Sequence, residues 1–386
     1  MAAFNWMPPL QPPASTSAPT GAAVTPRVPV TVLTGFLGSG KTTLLNRLLH
    51  QPDMAGTAVI INEFGAVGLD HDLVTHTQDD LVLLSNGCIC CTVRGDLVAA
   101  LETLAASPQA RAGALHHVVL ETTGLADPAP VLHTLMGDPR VTGAWRLSGV
   151  ATTVDAVNGM ATLDQHPEAV KQVAVADRLL LTKTDWGRAG DAGPEGAPTG
   201  LLQRLAALNP TAPVCAGADQ ALDALWGLLD ASPLSAPADP GGRVVWRPVS
   251  TTPDSAGAGA GPATRHGDRI RTHSIVRDQP LPREGFFAWL DLVARMRGDD
   301  LLRVKGLVHL DDSPDQPLVI HGVQHIFHPP EWLPAWPSDD RRTRIVFITR
   351  DMDLDAIEDT LRVFERRRPR VTPPTNPVPS TDRRQP

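Results

Sequence analysis

Short apolar runs alternate with helical patterns through the N-terminal part of the chain. Runs at 28–33, 58–61, 81–84, 118–120, 149–154, 178–181 and 212–215 are nearly continuous in Val, Ile, Leu and Ala rather than alternating with polar residues. Continuity of that kind predicts parallel strands covered on both faces. Between them Leu44, Leu45, Leu48 and Leu49 recur at helical spacing, as do Leu97, Val98, Leu101 and Leu104, and later Leu222, Leu225 and Leu228. The expectation is a doubly wound α/β domain with a mostly parallel sheet.

The C-terminal pattern differs. A strand is predicted at 270–276, a helix at 283–296, strands at 302–310, 318–327 and 345–349, and a helix at 354–364. Strands that follow one another directly predict a smaller antiparallel α+β domain of ferredoxin-like type. Segments 1–26, 232–266 and 367–386 are rich in Pro, Ala, Ser, Gly or Arg without periodicity and cannot bury enough apolar surface to offset the entropy of ordering. They are expected to be a leader, a linker and a basic, Pro-rich tail around bodies at 27–231 and 267–366.

Composition adds limits. The chain has 386 residues and a formal charge of −8, which argues against a general nucleic-acid binder. No run approaches membrane-spanning length, and no charge stands before residue 27 to start a secretory signal. Three of the four cysteines sit together, unlike a disulfide framework. A cytoplasmic protein is expected, with no membrane partner; its oligomeric state is left open, a dimer included.

Candidate chemistry begins at Gly35-Phe36-Leu37-Gly38-Ser39-Gly40-Lys41-Thr42, followed by Thr43, with a predicted strand before and a helix after. This fits the P-loop pattern: backbone N–H groups close round phosphates, Lys41 reaches the β- and γ-phosphates, and the Thr42 hydroxyl is a ligand for Mg²⁺. Glu121-Thr122-Thr123-Gly124 follows another strand, where an acidic group beside Mg²⁺ and a Gly facing the γ-phosphate are needed, Glu standing for the more usual Asp. At the end of run 178–181, Thr182-Lys183-Thr184-Asp185 puts a carboxylate where it can accept from the N1–H and exocyclic amine of guanine. GTP is therefore expected over ATP. The four-residue pattern is weak alone and gains from its position after a P-loop. Glu63 and Glu121 are both candidates to orient the attacking water.

A second chemistry lies in Asn86-Gly87-Cys88-Ile89-Cys90-Cys91. Three thiols so close together can converge on one soft cation, and thiolate sulfur suits Zn²⁺ or Cu(I) far better than Mg²⁺. A redox pair or small buried hydrophobes are the competing readings. His71, His76, Glu63 or water could complete the ligand set. Asn62-Glu63-Phe64-Gly65 lies where a nucleotide-sensing switch would connect the two chemistries. On a single strand His321 and His325 would share a face, a weaker metal candidate.

With GFLGSGKTT, NEFG, GCICC, ETTGLADPAPV and TKTD in this order, the sequence resembles the CobW-type metal-chaperone GTPases of the CobW/HypB/UreG group. The resemblance extends through Arg303-Val304-Lys305-Gly306 and Gly322-Val323-Gln324-His325. It implies Mg²⁺-dependent hydrolysis of GTP, metal held at Cys88, Cys90 and Cys91, and delivery to a client metalloprotein. The cargo it suggests is zinc, with cobalt or iron as alternatives. Ala66 stands where many relatives carry Glu after the NEFG element, which removes one candidate carboxylate ligand.

Overall fold

The computed structural model describes residues 27–51, 54–62, 81–84, 93–186, 198–230, 270–328, 330–352 and 354–365. The expected leader, linker and tail fall outside these residues. So do Glu63, Phe64, His71, His76, Cys88, Cys90 and Cys91.

The first body runs β1 (Val28–Gly35), α1 (Lys41–Leu49), β2 (Thr57–Asn62), β3 (Leu81–Leu84), α2 (Val93–Ala105), α3 (Pro108–Arg111), β4 (His117–Glu121), α4 (Ala129–Gly137), α5 (Pro139–Thr142) and β5 (Trp145–Asp155). It continues with α6 (Gly159–Gln165), α7 (Pro167–Val175), β6 (Arg178–Thr182), α8 (Thr199–Leu208), β7 (Val214–Ala216) and α9 (Ala218–Asp230). Its seven strands form one sheet in the order β3-β2-β4-β1-β5-β6-β7. Every neighbouring pair in it is parallel.

The continuous apolar strands find cover on both faces. Val30, Val32, Ile60 and Leu120 pack against Leu97 and Leu101 of α2 and Leu132 and Leu135 of α4. Their neighbours in sequence Leu33, Val59, Ile61 and Val119 turn the other way, onto Leu44, Leu45 and Leu48 of α1 and Leu225 and Leu228 of α9. Period-2 alternation between two helical layers is why the pattern is unbroken.

The second body contains β8 (Ile270–Arg277), α10 (Arg283–Arg297), β9 (Leu301–Val308), β10 (Leu318–Val323), β11 (Ile326–Phe327), β12 (Glu331–Trp332), β13 (Thr343–Arg350) and α11 (Leu354–Phe364). Its antiparallel sheet has the order β11-β10-β9-β13-β8, with β12 on β10. The β8-α10-β9 unit with β13 inserted between its strands is the split βαβ arrangement expected; the second helix follows the last strand. Trp289, Phe286 and Phe347 centre its core, and the indole N–H of Trp289 donates to Thr360 Oγ1 at 3.1 Å, tying α10 to α11.

The expected strand 318–327 is broken. Gln324 takes φ 53° and turns the chain into a β10–β11 hairpin. Gly322 makes the return close: a Cβ there would lie 2.6 Å from the Phe327 ring. His321 and His325 therefore do not share a strand face. His321 lies opposite Lys305 with its ring nitrogens buried, and His325 stacks edge-on to His133 at 4.8 Å between ring centroids.

The two bodies touch. Leu302 and Ile348 pack on Ala174 of α7, and Val323 enters the core of the first body beside α4.

Candidate functional site

Parallel strands end in register, so the loops that follow them share one edge of the sheet. Leu33 of β1 and Ile61 of β2 are both paired with Glu121, Asn62 with Leu84, and Asp155 with Thr182. The phosphate loop follows β1, the Glu121 loop β4 and Thr182-Asp185 β6. Asn62 and Leu84, the last residues of β2 and β3, lie on the same edge, and Glu63 and the cysteine segment follow them in sequence. Open α/β sheets bind ligands here.

The phosphate loop is shaped by close backbone approach. Gly35 has φ 141°, and a Cβ there would lie 2.2 Å from Thr153 Oγ1. Gly38 and Gly40 have φ 69° and 89°, left-handed values that strain any residue with a Cβ. Ser39 is buried, with Oγ 2.6 Å from Thr153 Oγ1. Lys41 opens α1, and its ammonium donates to Gly35 O at 2.9 Å and Phe36 O at 3.2 Å. The cation thus lies inside its own loop, where it can meet phosphate oxygens. Thr43, also on α1, lies on the opposite side of Thr42 from Lys41 in sequence and is exposed.

The Thr42 hydroxyl donates to Glu121 Oε1 at 2.8 Å, and Glu121 is only 5% exposed. A hydroxyl and a buried carboxylate beside a phosphate loop are hard oxygen donors, the set that Mg²⁺ prefers. Gly124 closes on the phosphate loop: a Cβ would lie 2.6 Å from Leu37 N. Only glycine allows that approach.

Two residues in this architecture were not singled out from sequence. Gln172 of α7 is fully buried, and its amide donates to Gly124 O at 3.1 Å and Ala126 O at 3.0 Å, fixing the loop after β4. Asp155 ends β5 and accepts from Val157 N at 2.7 Å, Asn158 N at 3.0 Å, Asn158 Nδ2 at 3.1 Å and Lys183 Nζ at 2.7 Å. Burial opposes its ionisation, but these bonds outweigh burial and hold the carboxyl below its ordinary range. A carboxylate at the end of a predicted parallel strand was the available signal for Asp155; a glutamine inside a helix gave none.

Lys183 has φ 57°, a left-handed value sparse for a non-glycine residue, and its ion pair to Asp155 is largely sheltered. Asp185 lies in a short 3₁₀ turn, Thr184–Trp186, and is exposed at the mouth of the edge. Thr182 ties this loop to the phosphate loop, its hydroxyl donating to Ser39 O at 2.7 Å. A cavity of about 150 Å³ runs between these loops, lined by Phe36, Ser39, Thr153, Asp155, Asn158 and Lys183. Among the described residues no group of three or more His, Cys, Asp or Glu side chains could hold a metal ion, and no helix is long and apolar enough to cross a membrane.

The family model for the CobW/HypB/UreG nucleotide-binding domain matches residues 29–215, and that for the cobalamin synthesis protein cobW C-terminal domain matches residues 270–365. The chain is 33% identical over 321 residues to the zinc chaperone YjiA of Escherichia coli strain K12, covering 83% of this chain and 93% of that one. It is 30% identical over 366 residues to the zinc chaperone CobW of Pseudomonas aeruginosa, covering 87% and 91%. The crystal structure of Zn(II)-bound YjiA GTPase from E. coli superposes with a TM-score of 0.62 at 26% identity, over 89% of this chain and all of that one. With a phosphate loop, an acidic loop and a Lys/Asp loop on one sheet edge and both family domains present in order, the chain is a GTPase that belongs to the CobW/HypB/UreG family.

Proposed function

We propose that this GTPase is a metallochaperone which binds zinc through Cys88, Cys90 and Cys91 and passes it to a client metalloprotein according to the nucleotide held. The single observation that supports this best is the shared edge: β2, which leads into Glu63, ends beside Glu121 of β4, and β3, which leads into the cysteine segment, ends beside β2. A change in the groups round Glu121 can then be felt at the ends of β2 and β3, from which Glu63 and the cysteine segment follow in sequence. Zinc as cargo is supported by similarity to two proteins named zinc chaperones.

In this reading Gly35, Gly38, Ser39 and Gly40 cradle the phosphates with backbone N–H groups, Lys41 leaves its loop carbonyls for the β- and γ-oxygens, and Thr43 adds a hydroxyl donor nearby. Thr42 and Glu121 would hold Mg²⁺, and the ion would supply neutralisation of phosphate charge. Gly124 faces the γ-phosphate, Lys183 covers the base from a position fixed by Asp155, and Asp185 accepts the guanine edge. Glu63 or Glu121 orients the water. Hydrolysis on these residues alone is slow, because among the described residues no arginine lines the cavity between the loops to meet the transition-state charge; a client that contributes one would accelerate it. Insertion of cobalt or iron into a metalloenzyme, or support of cobalamin assembly, would use the same groups with another cargo.

The test is Cys90→Ser. Replacing one thiolate by a poor zinc ligand should weaken zinc binding at least about tenfold in a chelator competition, with GTP turnover at saturating Mg²⁺ little changed. An unaltered zinc titration would remove the cysteines from the site. Loss of peroxide-sensitive thiols without loss of zinc affinity would favour a redox sensor instead.

A further inference from the structure

One cluster outside the nucleotide site joins the two bodies. Asp177, immediately before β6, is buried, and its Oδ1 accepts from Arg303 Nη2 at 2.6 Å and Lys305 Nζ at 2.5 Å. Arg303 and Lys305 alternate along β9 with Val304, which faces the core under α10 and α11; the two cations face the first body. Burial opposes ionisation of Asp177, yet Arg303 and Lys305 overcome it and hold the carboxyl well below the usual carboxylate range. His321 of β10, opposite Lys305 of β9, is pushed well below its ordinary range by burial and by the same two cations.

Adhesion alone does not call for this arrangement, since well-packed apolar side chains generally serve as well as a buried ion cluster or better. What the carboxylate does besides pairing is to set a register. Its Oδ2 accepts from Val150 N at 2.9 Å while its own N–H donates to Val150 O at 2.7 Å, locking the start of β6 to β5. From there the two strands run paired from Ala151 with Arg178 to Asp155 with Thr182. At the far end Thr182 donates to Ser39 O of the phosphate loop, and Lys183 bonds to Asp155. A stiff strand pair therefore links β9 of the second body to both nucleotide loops.

We infer that Arg303 and Lys305 are positioning residues for the nucleotide, acting through Asp177 and β6, so that the C-terminal domain sets guanine-nucleotide affinity from a distance. By reciprocity, nucleotide binding tightens the seat of β9 on the first body. A partner that draws β9 away weakens nucleotide binding without touching it. The base contact at Asp185 belongs to the proposed reading above, but the Thr182 to Ser39 link serves any nucleotide in the phosphate loop.

The experiment uses the full chain and fluorescent GDP. Arg303→Met and Lys305→Met should each weaken GDP binding about tenfold, beyond any fall in melting temperature, and Lys305→Arg should restore it. In the unaltered protein GDP should slow amide exchange in β9, a readout that stands even if the methionine variants fail to fold. Unchanged GDP affinity in a folded Lys305→Met protein, or β9 exchange indifferent to GDP, would overturn the inference and leave the cluster as adhesion only. Loss of guanine preference in Asp185→Asn is scored separately, so failure of the base assignment is distinguishable from failure of this link.

Discussion

Asp185→Asn should collapse the preference for GTP over ATP, by a factor on the order of 10⁴ if the carboxylate supplies most of the discrimination, as in other sites built to hydrogen-bond a substrate edge. The reason is donor and acceptor count. Guanine offers two N–H groups that a carboxylate can accept together, whereas an asparagine amide offers one acceptor and one set of donors. The new amide instead suits a base with a carbonyl in place of the exocyclic amine, so xanthosine triphosphate should become a better substrate than GTP. Asp185 is exposed and sits in a short turn, so the exchange should leave melting temperature almost unmoved. Turnover of the three nucleotides at matched concentrations checks it; unaltered selectivity would move the base site away from this loop.

Lys41→Ala should reduce GTP hydrolysis by about 10²–10³-fold, the usual loss when one preorganised charge donor to a transition state is deleted. The ammonium is buried and already held by Gly35 O and Phe36 O, so the loop keeps a cation in place before phosphate arrives. Lys41→Arg should not rescue activity. The planar guanidinium is wider than an ammonium and cannot take the same seat between two loop carbonyls. Single-turnover rates with saturating nucleotide, alongside a melting curve, distinguish lost chemistry from lost folding. Hydrolysis within tenfold of the parent would mean that Lys41 is not the phosphate cation.

Much of the fold was readable because its strands carry the simplest signal. A strand covered on both faces must be apolar throughout, and β1, β4, β5 and β6 are almost entirely buried. The phosphate loop was equally plain, since left-handed glycines, a lysine and a hydroxyl at fixed offsets have few other uses. What escaped was determined by long-range packing. Residues 318–327 look like one strand until Gln324 turns left-handed and Gly322 admits the Phe327 ring. Asp177 is an unremarkable acid before a strand, and the partners that explain it lie in the second body, 126 residues away for Arg303. Gln172 looks like a surface residue of a helix until the loop after β4 arrives to accept its amide.

The account depends on an energetic link between the phosphate loop and the thiolates that follow β3. The direct measurement is zinc affinity of the purified protein, by competition with a chromophoric chelator, in its GDP form and with a non-hydrolysable GTP analogue plus Mg²⁺. The two affinities should differ by about tenfold or more, within the ordinary range of coupling between sites. Identical zinc affinity in both nucleotide states would contradict the account, leaving a GTPase whose cysteines bind metal without regard to its cycle.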